Sequence, residues 1–402
     1  MTQSSNMSRV EFVAMCAMMF ATIAFSIDAM LPALPEIGAE LSPDNLNKAQ
    51  LILTSFVLGM GIGTFFTGPL SDTFGRKPVI VGGALVYCTC AAIGWASQSL
   101  ELLLAARLFQ GIGAAGPRIV TLAIIRDLYS GRDMARLMSF VMLVFTLVPA
   151  VAPLLGSVFI ALAGWRSIFL AFIGFSMLSI LWLGLRLPEP LAVEKRRPFQ
   201  FKVLLGAVGE MWAIPVVRVS ILVQTLCFAM LFTMLTTVQQ VYDITFGRGD
   251  EFPLWFGAVA IISGSASLLN AWLVMRLGMR FLVTVTLAVQ AILSIVMLAL
   301  SLSLSAGPVL FAVFVIWQTS VFFQAGMTLG NLNAMAMEPL GHMAGTAASV
   351  MGAIATVLGA GLAVPVGLAF NGTPVPLIWG IGIEAALGFG LMLWMKRIEA
   401  RS

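Results

Sequence analysis

Gly68-Pro69-Leu70-Ser71-Asp72-Thr73-Phe74-Gly75-Arg76-Lys77-Pro78 joins two long apolar runs, residues 49–70 and 78–96. The stretch carries one acid, two bases and two glycines. Each flank is long enough to cross a bilayer as a helix, which takes about 20 residues. Apolar runs of this kind recur along the whole chain, at 10–33, 49–70, 78–96, 101–125, 137–161, 166–187, 214–241, 253–275, 281–303, 308–334, 343–370 and 376–396. Continuous apolarity predicts helices, because a barrel strand would alternate every second residue. The first run carries Asp28 and lacks a short apolar core with a small-residue cleavage site, so it reads as a retained helix rather than a signal peptide.

Composition supports the same class. Of 402 residues, 60% are apolar and 10% charged, against roughly 45–50% and 25% in a soluble domain. A cytosolic enzyme or nucleic-acid binder is excluded, and mean hydropathy is +1.01. The basic excess, 22 Lys and Arg against 18 Asp and Glu, is a matter of topology. With a cytoplasmic N-terminus, 17 of the 22 bases, Arg401 among them, fall on the cytoplasmic side. The positive-inside rule then puts both termini of a multi-pass membrane protein in the cytoplasm. Cys16, Cys88, Cys90 and Cys227 all sit in apolar runs and read as inert fillers.

The longest internal break, with Pro188, Pro190, Lys195, Arg196, Arg197 and Pro198, separates six spans from six. It predicts an N-terminal bundle at 1–187, a cytoplasmic linker at 188–213 and a C-terminal bundle at 214–402. The halves echo each other. Shifted by 203 residues, the 68–77 stretch falls on 271–280: Gly75 matches Gly278, Lys77 matches Arg280, and Asp72 is replaced by Met275. The fold class is therefore an all-α membrane protein of twelve helices in two six-helix pseudo-repeats, as in rocking transporters.

The segment 68–78 resembles the major facilitator superfamily, and more narrowly its bicyclomycin- and chloramphenicol-resistance type of drug:proton antiporter. Further matches are Ser26–Pro35, Arg107–Ala115, Arg126–Tyr129, Met138–Met142 and His342–Ser349. The resemblance implies that Gly68, Asp72, Gly75, Arg76 and Lys77 form a conformational latch, with Asp72 facing Arg76 and the N-terminus of span 11. It also implies that Arg107 assists proton coupling. In span 5 the family expects Gly-Pro, two residues, then Gly-Gly. Here Ala152-Pro-Leu-Leu-Gly-Ser157 keeps only Pro153 and Gly156, which leaves the direction of transport open.

Four charges lie well inside spans, where ionisable residues are costly and mark functional sites by default. Asp28 sits about five residues, or 7–8 Å, from the outer end of span 1. It is the candidate proton carrier, against a reading as a cap for the Pro32/Pro35 break. Arg107 lies at matching depth in span 4, so an Asp28–Arg107 pair made in one state and exchanged in another is expected. Arg118 is eleven residues on, roughly 20° beyond three full turns, and shares the Arg107 face. It is read equally as a contact for anionic or hydrogen-bonding substrates and as a side chain snorkelling to the inner surface. Glu384 in span 12 is a second intramembrane acid, structural or coupling.

Met230 and Met234 stand one turn apart, but adaptable packing explains them better than copper binding. There is no phosphate-binding loop and no catalytic constellation, so neither ATP-driven transport nor an enzyme is expected, and no cofactor or metal is required. The expected function is proton-coupled efflux of small amphipathic compounds by alternating access. The alternative is proton-coupled transport, import included, of one metabolite such as a riboflavin-like vitamin or a nucleobase. The expected partners are a small-molecule substrate, protons and the lipid bilayer, with the chain acting as a monomer and without nucleic acid.

Overall fold

The computed structural model describes residues 7–129 and 131–399; Arg401 and both chain ends used to bound the expected bundles lie outside them. Fourteen α-helices are present and no strand among the described residues. Helix α1 (Arg9–Asp28) and the short α2 (Leu34–Leu41) make the first span. Five more follow: α3 (Leu51–Phe74), α4 (Arg76–Ala96), α5 (Leu100–Leu128), α6 (Gly131–Ala163) and α7 (Ser167–Arg186). A connecting helix α8 (Phe201–Ala213) precedes α9 (Pro215–Gln240), α10 (Phe252–Leu277), α11 (Met279–Ser303), α12 (Pro308–Met337), α13 (Ala344–Leu368) and α14 (Val375–Glu399). Twelve of these segments are long and apolar enough to span a membrane. A helix bonds its own backbone internally, which hydrocarbon cannot do for it.

The breaks fall where the backbone chemistry requires them. Helix α1 stops at Asp28 because Pro32 has no N–H to donate to the Asp28 carbonyl, and the chain tightens into a 3-10 turn at Leu31–Ala33 before α2 begins. Between α3 and α4 the chain turns at Gly75, whose φ of 103° and ψ of 163° are open to glycine almost alone.

The chain divides into two compact units. One comprises residues 1–33 and 55–203, the other 34–54 and 204–402. This differs from the boundaries expected at 187 and 214 in two ways. The first stretch of the linker belongs with the first unit, and the segment carrying α2 and the first turn of α3 belongs with the second. Side chains explain that second assignment. Gln50 donates to the Gly367 carbonyl at 2.9 Å and to Gln240 at 2.5 Å. Asn47 donates to the carbonyls of Leu368 and Phe370 at 3.1 and 2.7 Å. These carbonyls belong to the end of α13, where a helix leaves its last acceptors unfilled.

Within each unit the helices pair in the same pattern. In the first unit α4 packs on α5 and α7, and α1 packs on α5, α6 and α7. In the second, α11 packs on α12 and α14, and α9 packs on α12, α13 and α14. The two six-helix sets therefore have one topology, which the short echo at 75 and 278 announces. Close approach in the first set depends on small residues. A β-carbon at Gly111 would run into the Phe56 carbonyl of α3, and one at Gly83 would meet the Gly113 carbonyl of α5 at 2.7 Å.

Candidate functional site

The polar groups of the first unit gather in two places, one near the break after α1 and one at the turn between α3 and α4. At the break, Asp28 is the last residue of α1 and is buried, 5% exposed. Among the described residues its carboxyl makes no hydrogen bond and no ion pair, so it does not cap the Pro32/Pro35 break. A carboxyl at a helix C-terminus faces the unfavourable end of the dipole, and burial removes it from water. Nothing in its packing stabilises an acid there.

Arg107 is fully buried in α5 at the same level. Its guanidinium donates to the Ser26 carbonyl at 3.0 Å and to Gln110 at 2.8 Å, and it lies 4.2 Å over the Phe56 ring. The side chain of Ser26 bonds Tyr87 of α4. The expected Asp28–Arg107 pair is thus not closed in this conformation. The arginine is held on a backbone carbonyl two residues, about half a turn, short of Asp28 along α1.

Span 5 meets the same spot. Gly156 of α6 lies so close to the Ala29 backbone that a β-carbon would overlap the carbonyl. Pro153 and Ala152 are buried beside it, and the Ser157 hydroxyl donates to the Pro153 carbonyl at 3.1 Å. The two departures from the span-5 pattern are therefore accommodated, and the glycine that is kept is the one without room for a side chain.

Arg118, about three turns along α5 from Arg107, sits half-buried and makes no hydrogen bond or ion pair among the described residues. Glu384 of α14 is buried, 6% exposed, and accepts from the Thr233 hydroxyl of α9 at 3.5 Å.

At the turn, Arg76 is the hub. Its side chain is 4% exposed and donates to Asp72 at 2.6 Å, to Ser71 at 2.7 Å and to Asp127 at the end of α5 at 2.8 Å. Asp72, 48% exposed, thus meets one of its expected partners. The N–H groups of Arg76 and Lys77, orphans of the first turn of α4, donate to the two carboxylate oxygens of Glu189 at 2.8 and 2.9 Å. The Lys77 ammonium reaches the Gly184 carbonyl at 3.0 Å, and the Gly68 carbonyl accepts from Ser71 at 2.8 Å. Residues after α7 close over the turn, with Arg197 N–H on the Asp72 carbonyl at 3.0 Å and Thr73 on the Arg197 carbonyl at 2.8 Å.

Sequence reading missed Asp127, Glu189, Ser26 and Tyr87. Asp127 lay within a segment already matched, Arg126–Tyr129. Glu189 stands between Pro188 and Pro190, whose breaking effect drew attention away from the acid.

Comparison with known proteins agrees with this layout. The Major Facilitator Superfamily sequence model matches residues 13–394. The chain is 30% identical over 366 residues to a bicyclomycin resistance protein homolog of Haemophilus influenzae, covering 89% of each. It is 29% identical over 344 residues to multidrug resistance protein MdtL of Citrobacter koseri, covering 84% of this chain and 83% of that one. In fold it is similar to the crystal structure of a D-xylose–proton symporter, with a TM-score of 0.75 at 15% identity, covering 96% of this chain and 97% of the other. Twelve apolar helices in two sets of like topology, the Asp72–Arg76 turn and a match spanning nearly the whole sequence lead to one assignment: the chain is a membrane transporter that belongs to the major facilitator superfamily.

Proposed function

We propose that the protein exports small amphipathic compounds, drugs among them, in exchange for protons across the bacterial inner membrane, with both termini cytoplasmic and the monomer as the working unit. The observation that carries the reading is Asp28: a buried carboxyl without a partner, two residues along α1 from the carbonyl that holds a buried guanidinium, at the break in span 1. A group so placed has its proton affinity set by whatever else enters the site, so proton and substrate can compete for it. Arg107 is the group that Asp28 would engage on losing its proton. The names of the relatives, resistance proteins for bicyclomycin and for multiple drugs, support efflux.

Asp72, Gly75, Arg76 and Lys77, with Gly68 at the start of the stretch, act in this reading as a conformational latch. Their contacts hold one arrangement of the cytoplasmic loops and must be given up in another, so the latch biases an equilibrium without touching substrate.

The test is transport in everted membrane vesicles with an imposed proton gradient. Asp28→Asn keeps the shape and hydrogen-bonding capacity of the side chain but carries no titrating proton. Gradient-driven accumulation of drug should be lost, while downhill exchange persists. Uphill accumulation surviving in Asp28→Asn and failing in Glu384→Gln would move the coupling acid to α14. Gradient-driven movement of a vitamin or nucleobase in the importing direction, without drug efflux, would replace the exporter reading by the metabolite carrier.

A further inference from the structure

Two arginines of α5 share one face and have opposite surroundings. Arg107 reaches α1 through the Ser26 carbonyl and α3 through the Phe56 ring. The same seam continues along the helix. Thr121 faces α1, its hydroxyl 3.5 Å from the Met19 sulfur, and Ala115 faces α3, its side chain against Gly63. Arg118 stands three residues from each, so by 100° per residue it lies about 60° from both and points between α1 and α3. Its Cα is about 16 Å along the axis from that of Arg107.

At that depth the described helices flanking Arg118 in the first unit supply no counter-charge. Helix α1 has no acid between Glu11 and Asp28, α3 none before Asp72, and α4 and α7 none at all. Asp28 lies at the level of Arg107, and Asp127 is taken by Arg76 at 2.8 Å. The hydroxyls of Thr22, Thr64 and Thr67 on the flanking helices donate to carbonyls of their own helices. A guanidinium does not give up its proton, so it cannot become neutral to escape the cost of a half-buried position. About 12 Å of rise separates it from Arg126, the next base on α5 and fully exposed, so reaching that surface takes more than a bend of the side chain.

We infer that Arg118 is the recognition site for an oxyanion carried by the transported molecule, a carboxylate on an otherwise apolar body. The planar fork of the guanidinium matches a carboxylate through two parallel hydrogen bonds, and the charge it compensates is the one the protein leaves bare. The seam around it is apolar apart from hydroxyls, which suits an aromatic or aliphatic remainder. The inference deepens the transporter reading and rests on it, but its readout is binding, which depends neither on the proton gradient nor on the direction of transport.

The probes are aromatic carboxylates, each paired with its primary amide, 2-naphthoate and 2-naphthamide first. Binding to the purified full-length protein is titrated by calorimetry in maltoside micelles and phosphate-free buffer, then in phosphatidylglycerol nanodiscs. The wild-type protein should bind the carboxylate about tenfold more tightly than the amide, the ratio that one charge-assisted fork supports. Arg118→Gln should bring the ratio close to one, Arg118→Lys should retain part of it, and Arg126→Gln should leave it unchanged. A ratio near one in the wild type, a ratio that survives Arg118→Gln, or no binding of any carboxylate overturns the inference. A preference present in micelles and abolished by phosphatidylglycerol also overturns it, because the site would then belong to a lipid headgroup. Retained carboxylate preference with no drug efflux in vesicles would sink the exporter reading and leave this one standing.

Discussion

The turn at Gly75 and the turn at Gly278 are two copies of one piece of backbone with different chemistry built on them. Gly75 has φ 103° and ψ 163°, Gly278 has φ 80° and ψ 153°, and each starts the following helix. Around the first, Arg76 joins Asp72 and Asp127, Glu189 closes the start of α4, and the 196–197 segment lies across the top. Around the second, Met275 takes the place of the acid and is 87% exposed, Arg276 lies 4.6 Å over the Trp272 ring, and no atom would meet a β-carbon on Gly278 within 4 Å. The conformation was kept twice because at each place a single residue separates two long helices, and the backbone it adopts is open to glycine almost alone. The Asp72–Arg76 pair was kept once, since the matching positions hold Met275 and Met279. What both halves share is the corner, and what one half adds is the pair.

The largest effect that would separate the two turns comes from their bases. Arg76→Gln strands Asp127 and Asp72 without their cation, and breaking a partly buried network of this kind costs on the order of 2 kcal/mol. Drug efflux should fall by more than about tenfold, since each 1.4 kcal/mol is a factor of ten in a conformational equilibrium. Arg276→Gln in the second turn, which loses the stacking on the exposed Trp272 ring, should stay within about twofold of wild type by the same efflux assay. Asp72→Asn should fall between them, slowing turnover while calorimetric drug binding is kept, because Arg76 retains Asp127. Equal losses at Arg76 and Arg276 would erase the difference between the two turns.

A smaller effect sharpens what the turns share. Gly75→Ala and Gly278→Ala each place a β-carbon where only glycine is comfortable, at about 1–3 kcal/mol. Both should lower the thermal unfolding midpoint of the detergent-solubilised protein. Gly75→Ala should lower it further, since its β-carbon also meets Arg196 and Glu189 at 3.0 and 3.1 Å. A Gly278→Ala protein as stable as wild type would show that the second corner has relaxed. The smallest effect belongs to Met275→Asp, which restores the missing acid at an exposed position. Surface substitutions of this kind stay within about 0.5 kcal/mol, so neither midpoint nor efflux should move. A change in efflux would mean that the lost acid alone separates the two copies.

The spans were legible because each depends on its own residues. A run of about 20 apolar side chains is sufficient to predict a membrane helix, and predicted and observed segments agree to within several residues, 78–96 against Arg76–Ala96 for example. The site was legible only as a set of costly residues. Asp28, Arg107 and Arg118 announce themselves by being charged inside apolar runs, but nothing in the sequence shows that Arg107 is held by a carbonyl, a glutamine and a ring while Arg118 makes no hydrogen bond or ion pair among the described residues. Residues whose importance comes from a partner were the ones missed, Glu189 being an ordinary acid until it is found under the N-terminus of α4.

By itself the sequence determined the twelve helices, the two corners and the depth at which each charge sits, because helix rise, apolar run length and the φ restriction at glycine act over a few neighbouring residues. Only the tertiary structure decided which charges are matched and which are bare. Arg76 meets Asp127 across 51 residues of sequence and Glu189 across 113, and Asn47 and Gln50 tie the 34–54 segment to α13 across more than 300. Such pairings depend on how whole helices pack, since a hydrogen bond is made or lost within a fraction of an ångström that no local propensity controls.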